Sequence, residues 1–284
     1  MAYIYFAKMN INREIYEVYN DPKKFPEFIN QIVDGIWKGK TSIHDEKGGE
    51  YKLFGVDNNF DNEYLMGNLG YIKEGIHSSF DRENDKAIDV FDKDKLDYVA
   101  FYFNYRYEMV AYTTSSKIRQ KNFLEIFQKL ILANAEIGVE FVPQTNTTDL
   151  KKEIANFSRL KRIDLKIVPS NDDSDPMQDL FGITSNTMEQ INANRIEQNY
   201  VSTQSEGLDK DSVPVKKVIQ GISEGYGEGK FIGEDTSGES KEVDSSKTVP
   251  FRQTVFSINS KDKQIVSEKG RAGLLKILEF RKRE

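Results

Sequence analysis

Asp164 and Lys166 stand two apart in the run Arg-Ile-Asp-Leu-Lys-Ile-Val, residues 162 to 168. On a strand, that spacing puts a carboxylate and an ammonium on the same face. Metal-dependent nucleases use this pairing to hold Mg²⁺ and steady the attacking water. The chemistry also needs a second carboxylate from another strand, and Glu140 and Asp149 are the nearest in sequence. Ordinary alternation on a half-exposed strand produces the same pattern. The nuclease, with Mg²⁺ held by Asp164 and Glu140 and the attacking water steadied by Lys166, is therefore the alternative reading and not the leading one.

Other constellations fall short of a complete site. The two histidines, His44 and His77, lie in polar sequence, and no G-x-S-x-G occurs to shape a serine nucleophile. Without cysteine the chain has no disulfide, thiolate metal site or cysteine nucleophile. The run Gly225 to Lys230, GYGEGK, has the glycines of a phosphate loop, but Phe231 replaces the Ser or Thr after the lysine. Strand-like sequence follows it, so a Gly-rich hairpin strand is expected. Asp57, Asn59 and Asp61 open like a calcium loop, yet Asn62 stands where glycine is needed and Asn68 where the bidentate glutamate belongs. Asp89, Asp92, Asp94 and Asp97 also lack the glycine, and solvated acidic loops are expected at both places. No resident metal or cofactor is expected.

One segment favours binding. Tyr105, Arg106 and Tyr107 place two aromatics and an arginine at an expected hairpin tip, the composition of an interaction hot spot. Basic residues gather at Lys151, Lys152, Arg159, Lys161 and Arg162, and again at 281 to 283. An Arg/Tyr surface of this kind could stack on nucleic acid, although charged solvent faces explain the same residues.

The elements that must position these groups centre on residues 97 to 143. Tyr98 to Phe103 reads as a strand buried on both faces. Asn104 and Tyr105 turn it into a second strand, Tyr107 to Thr113. Phe123, Leu124, Phe127, Leu130 and Ile131 then fall at helical spacing, and Val139 to Val142 make a third strand closed by Pro143. Upstream, Tyr3 to Ile11 alternates as an opening strand, and Phe28, Ile29, Ile32, Val33 and Ile36 form one helical face. Residues 57 to 97 give strand-like pieces (Leu65 to Ile72, Ala87 to Phe91) broken by acidic and Asn-rich loops. Downstream, Asp175-Pro176 is a good helix start, and the apolar stripe from Met177 predicts a helix reaching about Asn199. From Gly207 the pattern is a short helix, two or three strands with Gly-rich turns, and a final helix. The expected fold is mixed α+β, with a mixed or antiparallel sheet packed by helices. It divides into an α/β core (1–170), a helical connector (171–206) and a β-hairpin-rich C-terminal part with its final helix (207–284), packed on the core.

The 284 residues are 38% hydrophobic and 12% aromatic, enough for a sizeable core. No apolar run approaches the roughly 18 to 20 residues that span a bilayer, and the N-terminus does not read as a signal peptide. No membrane is expected, and the cytoplasm is the expected compartment. A net charge of −6 argues against wholesale coating of nucleic acid.

Three stretches carry a resemblance: YIYFAKMNI at the start, RIDLKIVPSNDDSD in the middle, and GYGEGKFIGEDTSGESKEVDSSKTVP near the end. Together the chain resembles an uncharacterised bacterial family that carries a domain-of-unknown-function label. Such proteins show an F-A-x-x-N-I start and a late G-Y-G-x-x-x-x-x-G-x-D hairpin. Where they have R-P-N-P, this chain has Val168-Pro169-Ser170-Asn171. The resemblance gives no catalytic residues to carry over. It implies a setting on mobile elements and in phage-defence neighbourhoods. The expectation is therefore a non-catalytic sensor or binding protein of a bacterial or phage conflict system. Tyr105, Arg106 and Tyr107 would be its binding residues, and a protein partner or homo-oligomer is expected, with nucleic-acid contact as a further expectation.

Overall fold

Alternating apolar residues build two antiparallel sheets, and amphipathic helices cover them. The structure is a computed structural model that describes residues 1–12, 14–171, 180–182 and 185–283. In chain order the strands are β1 (Ala2–Ile11), β2 (Ile43–His44), β3 (Glu50–Asn59), β4 (Tyr64–Asp81), β5 (Lys86–Asn104), β6 (Met109–Tyr112), β7 (Val139–Pro143), β8 (Phe157–Ile167), β9 (Ile196–Val201), β10 (Gly227–Asp235), β11 (Ser240–Asp244) and β12 (Arg252–Val255). The helices are α1 (Ile15–Asn20), α2 (Lys24–Lys38), α3 (Gln120–Ala135), α4 (Thr147–Ala155), α5 (Ser185–Gln190), α6 (Val213–Glu224) and α7 (Lys263–Arg283).

The larger sheet runs β12-β1-β6-β5-β4-β3-β2, and β7 also pairs with β1. β12 takes the first half of β1 (Ala2 opposite Val255) and β7 the second half (Ile11 opposite Val139). Strand alternation then gives the sheet two apolar faces. Met9, Ile11, Leu65, Leu69, Val99, Phe101 and Phe103 point to one face, where α1, α2 and α3 bury them. Ile4, Phe6, Ala100, Tyr102, Met109 and Ala111 point to the other, under Val266, Leu274 and Ile277 of α7. That helix lies close because it presents glycine: a Cβ on Gly273 would stand 2.2 Å from the Phe6 ring.

The smaller sheet runs β11-β10-β8-β9. Its inner face (Leu160, Ile163, Leu165, Phe231, Val243) packs on Leu150 and Ile154 of α4 and on Val215, Val218 and Ile219 of α6. α4 starts because the Asn146 side chain accepts from the Asp149 N–H. α6 has proline in its first turn and ends at Gly225, whose φ of 84° suits glycine.

The observed fold is mixed α+β, as the sequence indicates. The C-terminal residues from Gly207 serve both sheets: β10 and β11 join the smaller one, while β12 and α7 return to the larger. Three local expectations change. The helix expected to reach Asn199 does not, because Ile196–Val201 is strand β9, paired with β8; its expected start at Asp175 lies outside the described residues. The strand expected from Tyr107 begins at Met109, after a turn over 105–108. Residues 57 to 97, expected as broken pieces, belong mostly to a single long hairpin of β4 and β5, paired from Tyr64–Asn104 out to Asp81–Lys86.

Candidate functional site

The second half of β1 carries polar residues on a face that is otherwise apolar, and this is where the two sheets meet. Lys8 and Asn10 continue the row of Ile4 and Phe6, but they face the smaller-sheet unit and not α7. Lys8 Nζ reaches the buried Glu108 carboxylate at 3.2 Å and lies 5.5 Å from the Tyr226 ring centre. Asn171 closes the group: its Nδ2 donates to Glu108 (2.8 Å) and to Met9 O (3.0 Å), and its Oδ1 accepts from Ile11 N (2.7 Å). Asn10 Nδ2 donates to Gly225 O (3.1 Å). Glu108 has φ of 52° in the turn before β6, a conformation that returns its backbone C=O to Met9 N.

Glu140 on β7 sits beside this group, nearly buried. It accepts from Asn12 (2.9 Å) and pairs with Lys166 (3.0 Å) and Arg195 (2.6 Å). The structure thus brings two of the three nuclease candidates together, Glu140 and Lys166. Asp164, on the same outer face of β8, pairs instead with Arg162 at 2.5 Å. Among the described residues no group of three His, Asp or Glu side chains is placed to hold a metal ion.

Tyr105, Arg106 and Tyr107 lie together on the turn between β5 and β6, and much of this patch is engaged within the chain. Tyr105 packs on the larger core, Arg106 reaches Glu63 at 3.4 Å, and its guanidinium lies 5.6 Å from the Tyr107 ring centre. The histidines are exposed, His44 on β2 and His77 on β4. GYGEGK caps α6 and opens β10, a strand and not a phosphate loop. Asp57 pairs with Lys263 (2.7 Å), and Asn59 caps a short 3₁₀ turn.

Among the described residues, a cluster of exposed apolar side chains stands on the outer part of the β4–β5 hairpin. β3 follows β4 only as far as Ile72, and β6 joins β5 only from Phe101. Among the described residues the two strands pair only with each other beyond Lys73, and a register shift marks where they leave the body. Ile76, Phe80, Val90 and Phe91 on this arm are 54 to 64% exposed. Ile76, Phe80, Ala87 and Phe91 share one face, with the Ser78–Asp89 hydrogen bond (2.6 Å) between them. Asp81 closes the tip by accepting from Asn84 and Glu83, contacts that hold its carboxyl below the usual range, with the Asn84 side chain the main cause.

Sequence reading missed both the junction and the arm. The signal for the junction is Lys8 and Asn10 at even positions of an apolar strand. The signal for the arm is apolar alternation that continues through the acidic stretch 81–94. The stretches that carry the family resemblance converge on the junction: Phe6 to Ile11, Asn171, and Gly225-Tyr226. A family model described as a domain of unknown function (DUF4747) matches residues 2–270. The chain belongs to this family. The family match spans both sheets and the arm, so the junction and the hairpin fall within one family domain. No curated protein matches the chain. Among the described residues no helix is long and apolar enough to cross a membrane.

Proposed function

We propose that this protein is a non-catalytic binding protein of a bacterial conflict system and that the β4–β5 arm is its docking element. The carrying observation is four large apolar side chains held in the open on a regular hairpin with two unpaired edges. Exposed apolar patches and bare strand edges mark interaction sites. From Glu74 to Leu96 the arm carries seven acidic and four basic side chains, net −3. That charge favours a basic protein surface over nucleic acid. The Tyr105–Tyr107 turn, at the opposite end of β5, is a smaller second surface. The conflict-system setting rests on the family resemblance alone.

The alternative, a nuclease with Mg²⁺ on Asp164 and Glu140 and Lys166 beside the attacking water, needs carboxylates available to metal. Here those carboxylates are held by Arg162, Lys166 and Arg195. Cleavage of DNA or RNA with Mg²⁺ or Mn²⁺, lost in a folded Asp164→Ala variant, would favour the alternative. Purification from the native host, side by side with a Phe80→Asp/Phe91→Asp variant, tests the leading reading. Species bound to the parent should be missing from the variant; an identical set on both would refute the arm as docking element.

A further inference from the structure

We propose that the arm docks on a second copy of this chain, in the lysine-rimmed cleft between α4 and α6. This deepens the reading of the arm as a docking element and rests on it. The cleft encloses about 810 Å³, with Ile154, Val213 and Ile219 along its floor and wall. Lys151, Lys210, Lys216 and Lys217 stand around it, against one acid, Asp211. Lys210 is committed to backbone carbonyls at the junction of α4 and β8, donating to Ala155 O (3.2 Å) and Phe157 O (2.5 Å). Lys216 and Lys217 are exposed, and among the described residues no carboxylate pairs with either. Val213, at the start of α6, is 66% exposed although large and apolar.

The two surfaces match in kind. The arm offers Ile76, Phe80 and Phe91 with Asp89 between them and Glu83 and Asp85 at the tip; the cleft offers apolar groups flanked by lysines. Eight residues per strand carry the tip roughly 26 Å beyond Lys73 at about 3.3 Å each, enough reach to enter a neighbouring molecule. The lysine stems can cover the arm's rings while their ammonium groups meet its carboxylates. The surfaces differ, so the contact is heterologous: each copy inserts its arm in the next, and the assembly closes as a ring or propagates.

The test is sedimentation or light scattering over a concentration series at low and high salt, with thermal melting to show that each variant folds. The parent chain should self-associate, less strongly in high salt, where screening shortens the reach of charge. Lys216→Glu/Lys217→Glu in the cleft and Glu83→Lys/Asp85→Lys at the tip should each weaken association at least about tenfold. Mixing the two variants restores opposite charges at both contacts, so the mixture should associate. A parent chain monomeric at every concentration, or an assembly indifferent to both pairs of substitutions, overturns the proposal. If the parent is monomeric but Phe80→Asp/Phe91→Asp still strips a host partner, self-docking fails while the docking role of the arm stands.

Discussion

The β4–β5 hairpin has two halves with the same backbone pairing and opposite surroundings. In the inner half, Leu65, Leu69, Val99, Phe101 and Phe103 are buried under α1 to α3. In the outer half, Ile76, Phe80, Val90 and Phe91 meet solvent. Strand propensity therefore cannot be what separates them. The inner apolar residues stabilise the fold because a second layer covers them. Among the described residues no second layer covers the outer ones, which is why their exposure points to a partner.

That contrast can be broken from its buried side first. Phe101→Ala should cost about 3 to 5 kcal/mol, the usual range for emptying a packed aromatic site, read as a lower denaturant midpoint. Lys8→Ala should cost a similar 3 to 5 kcal/mol, because Glu108 would be left buried without its cation. Lys8→Met with Glu108→Gln should recover part of that loss, since no lone buried charge remains. Gly225→Ala comes next, at about 1 to 3 kcal/mol. Its φ is 84°, and the new Cβ would stand 2.6 Å from Gln144 Nε2. The three single substitutions should lower the melting temperature while leaving arm-dependent association, corrected for folded fraction, unchanged.

A smaller effect concerns pH. Asp235 accepts from the Ser237 hydroxyl (2.6 Å) and N–H (2.8 Å) and from Glu239 N (3.0 Å), which holds its carboxyl below the usual range. Asp81 at the arm tip is lowered in the same way by Asn84. A folded pKa below the unfolded one contributes stability above the unfolded value of about 3.9, and that contribution is lost as pH falls through the folded value. NMR titration should give midpoints under the ordinary aspartate value at both residues. Both are half-buried in surface turns outside the two cores, so acid should loosen the two turns well before it unfolds either sheet.

Much of this architecture is legible in the sequence. The helical stripes of α2 and α3, the strand at Tyr98 to Phe103 and the Gly-rich β10–β11 hairpin follow from periodicity and turn residues. Ile196 to Val201 was harder, because an apolar stripe running toward it looks helical and only pairing with β8 makes it a strand. The outer arm was illegible for a related reason. Its alternation is interrupted by charges at 81, 83 and 85 that suit a turn, and by acids at 89, 92 and 94 that suggest loops. The nuclease trio shows the converse. Spacing placed Asp164 and Lys166 on one face, but the partners of each depend on Arg162 and Glu140 and on contacts across the junction.

The most direct measurement removes the outer half of the hairpin. Gly75 and Asp92 are paired neighbours, so a two-residue Asn-Gly turn can replace residues 76 to 91 without disturbing the inner strands. If the arm serves binding and not the fold, this chain should unfold within about 1 kcal/mol of the parent, the scale of ordinary surface changes, and should lose its partner. A loss of more than about 3 kcal/mol, the scale of core damage, or partner binding that survives intact, would contradict the account.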